Sequence, residues 1–75
     1  MENIKDYISI DPDIRFGKPC IKGTRIAVHD ILQWLSSGMS YLDILNDYPT
    51  LNEDSIKAVL FFAANRENVT RIIAA

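Results

Sequence analysis

The apolar positions of this chain follow one period over its first third and another over the rest. Tyr7, Ile8, Ser9 and Ile10 alternate in a β-rich run, and Asp11-Pro12-Asp13 follows as a turn-forming cluster, because proline fixes φ and aspartate bonds the nearby backbone. This pattern predicts a short strand and then a turn. Residues 19–21 and 24–28 flank Lys22-Gly23, where glycine supplies a positive φ, and they predict a small hairpin. Strict alternation places Thr24, Ile26 and Val28 on one side and Arg25 and Ala27 on the other.

From His29 the period becomes helical. Val28, Ile31, Leu32 and Leu35 share a face, Asp30 suits the positive N-terminus, and Gly38 stops the helix at about Ser37 by accepting the left-handed conformation. Ser40 is then an N-cap for a second helix over 41–47, with Asp43 at the third position and a staple from Met39 to Ile44. Pro49 disfavours helical geometry at Tyr48 and ends it. Asn52 caps a third helix, Glu53 and Asp54 face its dipole, and Leu51 staples to Ile56. Ile56, Val59, Leu60 and Ala63 form its predicted buried stripe. Val69, Ile72 and Ile73 suggest a last helical segment, either continuous with the third helix or separated by a break near Glu67 and Asn68. The second and third helices have the layout of a helix-turn-helix. The fold class predicted is mainly α: three to four short helices preceded by a short N-terminal β-hairpin. One domain spans 1–75, with strand and hairpin in 1–28 and the helical core in 29–75.

At 75 residues such a domain gains only about 3–5 kcal/mol from a single core, so self-association is expected. A 48% hydrophobic and 24% charged composition is that of a folding chain. The single Cys20 makes no internal bridge, and His29 is the only other soft metal ligand, so neither a disulfide nor a zinc site is expected. No stretch approaches the roughly 20 apolar residues of a membrane span, and the N-terminus lacks a signal core. The chain reads as cytoplasmic, with no membrane partner, cofactor or small-molecule substrate.

A net charge of −2 is unlike that of a general nucleic-acid binder, yet the charge is sorted. Residues 15–29 carry Arg15, Lys18, Lys22 and Arg25 with no Asp or Glu. With His29 they are the candidate DNA-contacting residues; four neutralised phosphates would give a salt slope of about −3.6. The plainer reading is that they solvate an exposed hairpin, or that Arg25 pairs with an acid and fixes the hairpin to the body. The opposite sign fills residues 30–54, where Asp30, Asp43, Asp47, Glu53 and Asp54 stand with no Lys or Arg. Capping accounts for all of these except Asp47. Carboxylates leading the third helix repel phosphate where a recognition helix would enter the major groove. Trp34, Phe61 and Phe62 exceed what a three-helix core needs; adjacent residues on a helix point about 100° apart, so at least one of Phe61 and Phe62 meets a second surface. These three are the candidate partner or dimer contacts. Catalysis needs a nucleophile with an adjacent base held by a third group, and this chain offers one Cys, one His and capping carboxylates. No catalytic or metal-binding residue is assigned, and the chain is not expected to be an enzyme.

Gly17-Lys18-Pro19, Ile21-Lys22-Gly23-Thr24-Arg25, Ile31-Leu32, Gly38-Met39-Ser40, Ile44-Leu45 and Asp47-Tyr48-Pro49 together resemble the bacterial domain-of-unknown-function family 433 (DUF433). The resemblance runs from about Tyr7 to Ala64. It implies a small homeodomain-like helical fold behind a β-hairpin, paired into a homodimer. It further implies a VapB-like antitoxin of a type II toxin–antitoxin system, which neutralises a PIN-like ribonuclease toxin and binds operator DNA. The alternative is a DNA-binding or structural homodimeric adaptor without a toxin. Cys20 replaces a small aliphatic residue usual in the family, and His29 replaces Arg or another polar residue.

Overall fold

A computed structural model describes residues 3–66 together with Ile73. Among these residues the order of elements is β1 (Ile8–Ser9), β2 (Cys20–Ile21), α1 (Val28–Ser36), α2 (Tyr41–Asp47) and α3 (Glu53–Ala64). The described chain is mainly helical behind a short antiparallel hairpin, as the periodicity predicts.

The helix ends lie where local chemistry places them. Gly38, at φ 103, closes α1 in a Schellman arrangement: its N–H donates to the Leu35 carbonyl and that of Met39 to the Trp34 carbonyl, each at 3.1 Å. Two residues on, Ser40 Oγ accepts the Asp43 N–H at 3.1 Å while Asp43 Oδ2 accepts the Ser40 N–H at 2.9 Å, a reciprocal cap for α2. At α3, Asn52 Oδ1 accepts the Ser55 N–H at 3.0 Å and Ser55 Oγ accepts the Asn52 N–H at 3.3 Å. Ser55 is thereby satisfied although buried.

Residues 19–21 pair on both sides: with the segment after Gly23, as Lys22-Gly23 signals, where the Ile21 N–H donates to the Ile26 carbonyl at 2.8 Å and the Val28 N–H to the Pro19 carbonyl at 2.9 Å, and with β1. β1 runs against β2, Ile8 opposite Ile21 and Ser9 opposite Cys20. The chain after Gly23 returns beside β2 through one isolated bridge, Cys20 opposite Ala27. The Thr24 hydroxyl closes the turn between them, donating to the Ile21 carbonyl at 2.8 Å and accepting the Ile26 N–H at 3.0 Å. The predicted alternation breaks at its end, where Ala27 and Val28 are both buried, because Val28 already belongs to α1.

One ion pair ties the hairpin region to the helices. Arg15 Nη1 donates to Asp30 Oδ2 and to the Arg25 carbonyl, each at 2.8 Å, with Nη2 at 3.5 Å from Oδ1. The same carboxylate accepts the Ala27 N–H at 3.0 Å at the head of α1. Arg15, and not Arg25, is thus the residue that fixes the hairpin to the body. The Arg15 hydrogen bond holds the Asp30 carboxyl below its ordinary range, against a partial burial that pushes it up and with help from the Ala27 N–H.

The core joins Ile4, Ile8 and Ile21 to Val28 and Ile31 of α1, Ile44 of α2, Leu51, and Ile56, Ala58, Val59 and Phe62 of α3. Here the stripe predicted for α3 is corrected. Ile56 and Val59 are buried as expected, but Leu60 is 36% exposed and Ala63 lies outside. Phe62 turns the helix: it is 2% exposed, and seating so large a ring brings Ser55 and Ala58 inward with it. α3 ends at Ala64, and Asn65 caps it through Nδ2 to the Phe61 carbonyl at 3.1 Å. Of the last predicted segment, Val69 and Ile72 lie outside the described residues, while Ile73 packs against the core.

Ile31 has no exposed surface, and Ile31→Ala should cost about 2–5 kcal/mol. Since a domain of this size holds about 3–5 kcal/mol in its core, urea titration followed by circular dichroism should find the variant largely unfolded. The Asp30 pair predicts an acid limb. A carboxylate with a lowered folded pKa contributes fully above the unfolded value of about 3.9 and loses that contribution as pH falls through the folded value. The urea midpoint should therefore drop below about pH 4, and Asp30→Asn should start lower at neutral pH and fall less steeply. An equal pH slope in both proteins would remove the pair from this role.

Candidate functional site

The turn at Arg15–Gly17 is built against the usual backbone preference. Arg15 (φ 51), Phe16 (φ 59) and Gly17 (φ 82) are successive left-handed residues, which costs roughly 1–2 kcal/mol for each of the two that carry a Cβ. The Gly17 N–H donates to the Ile14 carbonyl at 3.1 Å and the Lys18 N–H to the Arg15 carbonyl at 3.2 Å. These bonds and the Arg15 guanidinium hold the turn in place. Its product is Phe16, 98% exposed. In the sequence its one mark is an aromatic beside Gly17 with no strand or helix period to bury it.

Lys18, Lys22, Arg25 and His29 are exposed and, unlike Arg15, form no ion pair among the described residues. The candidate cations thus split into one structural arginine and a set available to solvent. Lys18 and His29 line a cavity of about 210 Å³ with Arg66 and the apolar Pro19, Val28 and Leu32. Arg66 lies far from the hairpin in sequence and arrives here only because the end of α3 meets the first turn of α1. Several acids lie away from these cations: Glu53 and Asp54 open α3, about 15–17 Å along its axis from its last residue, with Lys57 bonded to Glu53 at 3.5 Å, and Asp43 and Asp47 lie on α2, beyond the far end of α1. All four are exposed. Beside them on α2 stand Leu42, 71% exposed, and the exposed Tyr41.

The aromatic candidates have separate fates. Trp34 stacks on Tyr48 with centroids 4.4 Å apart and planes 8° from parallel, leaving it half-buried. Phe61 is half-buried and packs against the core from one side, whereas Phe62 lies within it. The second surface sought for this pair is therefore Phe61's alone, and exposed apolar area on the acidic side comes from Leu42, Tyr41 and Leu60.

Cys20 is buried, and its Sγ donates to the Lys18 carbonyl at 3.3 Å. Burial pushes the thiol up, though Arg15 opposes this, which disfavours a nucleophilic thiolate. Among the described residues no three of His, Cys, Asp and Glu gather in a metal-binding group, and no helix is long and apolar enough to cross a membrane. The exposed surface thus holds Phe16 with Lys18, Lys22 and Arg25 in the hairpin region, and Tyr41 and Leu42 with Asp43 and Asp47 on α2.

Comparison with known proteins agrees with the hairpin and helix layout. A crystal structure of a DUF433 member from Anabaena variabilis superposes with a TM-score of 0.75 at 28% identity, covering 93% of this chain and 70% of that one. The uncharacterized protein y4eO of Sinorhizobium fredii is 29% identical over 59 residues, which make up 79% of this chain and 27% of y4eO. This chain thus spans about a quarter of that relative. The model of the family described as protein of unknown function (DUF433) matches residues 8–63, the whole stretch from β1 to the last turn of α3, and the chain belongs to that family.

Proposed function

We propose that this chain is a VapB-like antitoxin: a non-enzymatic homodimer that silences a PIN-like ribonuclease toxin with its acidic end and holds operator DNA with its cationic end. The observation that carries the reading is a group of exposed acids on α2 and the first turn of α3, with Lys57 bonded to Glu53 at 3.5 Å, apart from the exposed cations Lys18, Lys22 and Arg25 of the hairpin region. A ribonuclease holds RNA through a cationic surface, for which Asp47, Glu53 and Asp54 compete. Exposed Leu42 and Tyr41 supply the apolar anchors that such contacts need. Trp34 and Phe61, half-buried, supply the rim.

The α2–turn–α3 unit has the order of a homeodomain-like helix-turn-helix, but exposed Glu53 and Asp54 lead α3. Phosphate is repelled there, so the reading assigns DNA contact to Lys18, Lys22, Arg25 and His29. A DNA-binding or structural adaptor without a toxin would use the cationic end alone.

Co-expression with the product of the adjacent reading frame tests the toxin role. The expected result is co-purification and loss of ribonuclease activity, with Leu42→Ala combined with Asp47→Asn raising the half-inhibitory concentration at least about tenfold, or about 1.4 kcal/mol. A nuclease that stays fully active beside an excess of the chain sinks the antitoxin reading in favour of the adaptor. The homodimer is checked by sedimentation, where twice the monomer mass is expected; a monomer at high concentration removes it.

A further inference from the structure

We propose that Phe16 is an apolar wedge that enters the minor groove of duplex DNA and inserts between base pairs, with Lys18, Lys22, Arg25 and Arg66 on the flanking phosphates. The inference rests on the reading of the cationic end as a DNA surface, and it adds the residue that deforms the duplex. A phenyl ring that is 98% exposed contributes nothing to this protein's core. Its turn nevertheless holds two non-glycine residues in the left-handed region, and Arg15 fastens that turn to Asp30 and to the Arg25 carbonyl at 2.8 Å each. The backbone that carries the ring is already held by these bonds, so less loop freedom is lost when it binds.

Its surroundings choose the partner. Lys18 follows two residues later and lines the cavity that also holds His29 and Arg66; Arg25 is bonded through its carbonyl to the same arginine that shapes the turn. Of the carboxylates near the turn, Asp30 is occupied by Arg15 and Asp11 accepts the Asp13 N–H at 2.9 Å; Asp13 is exposed, and the cations Lys18, Lys22, Arg25 and Arg66 outnumber these acids. An exposed aromatic on a fixed turn, with cations that form no ion pair among the described residues on the same hairpin region, suits a stack of bases between two rows of phosphate. Side chains of this kind unstack a base step and kink the duplex toward the major groove. The alternation of cation and ring also suits single strands, and the test separates the two.

The test is titration of duplex promoter DNA of the chain's own operon, with 2-aminopurine substituted at successive positions, alongside the same sequence as a single strand. Wild type is expected to bind the duplex and to raise 2-aminopurine fluorescence at one step. Phe16→Ala should bind at least about tenfold more weakly with no fluorescence rise and an unchanged salt slope, because no phosphate contact is lost. Phe16→Leu, which keeps an apolar wedge, should retain most of both signals. Lys22→Ala should keep the fluorescence rise and lower the magnitude of the salt slope by about 0.9. Phe16 is solvent-exposed, so each variant should show the wild-type circular dichroism spectrum. Duplex binding with no effect of Phe16→Ala overturns the wedge and leaves the DNA surface standing. Absence of duplex binding by wild type at low salt overturns both. Binding to the single strand alone, or loss of toxin silencing in Phe16→Ala with unchanged DNA binding, assigns the ring to another partner and also overturns the wedge.

Discussion

Arg15 and Asp30 connect the two halves of this molecule. The guanidinium leaves a left-handed turn, meets the carboxylate of the third residue of α1, and bonds the Arg25 carbonyl on the way. The same carboxylate takes the Ala27 N–H, so one side chain caps a helix and anchors a loop. Exposed ion pairs contribute little when they merely decorate a surface. This one is partly shielded, with 32% and 25% of the two side chains exposed, and it closes a segment of chain that has only two residues of β-ladder on either side. The orientation of Phe16, Lys18 and Arg25 follows from it.

The helices impose a different constraint. α1 and α3 meet end to start, so Arg66 joins the cavity that Lys18 and His29 line, while the acids that open α2 and α3 collect at the other end. Placing carboxylates in first helical turns is favourable because the helix N-terminus is positive, and Asp43 shows this locally: the Ser40 N–H holds its carboxyl below the ordinary range. The capping requirement thereby sets which ends of α2 and α3 carry acids, and Lys57 answers Glu53 one turn on at 3.5 Å.

DUF433 membership and the likeness to a solved member describe the scaffold, and the use to which it is put rests on the surface. That surface carries exposed Phe16 near the hairpin cations and exposed Leu42 and Tyr41 near the acids of α2. Cys20, the one thiol, is spent on packing and on the Lys18 carbonyl.

What was legible from residue order alone was whatever depends on neighbours within about five positions. Gly38, Ser40 with Asp43, Asn52 and Pro49 set the ends of α1, α2 and α3, because caps and steric exclusion act within a turn. The sorting of charge along the chain was legible for the same reason. Longer-range choices were not. The local turn at Lys22-Gly23 was legible, but the pairing of β2 with β1 on its other edge joins residues more than ten apart and was not. Several acids were available to an arginine, and only the folded path of the chain brought Asp30 to Arg15. The rotation of α3 depended on which of several apolar residues filled the space between helices, and Phe62 displaced Leu60 because its ring occupies more of that space. Phe16 stands in water and Arg66 beside Lys18 for a related reason: exposure and proximity are properties of the packed assembly, in which every side chain competes with all the others for one interior.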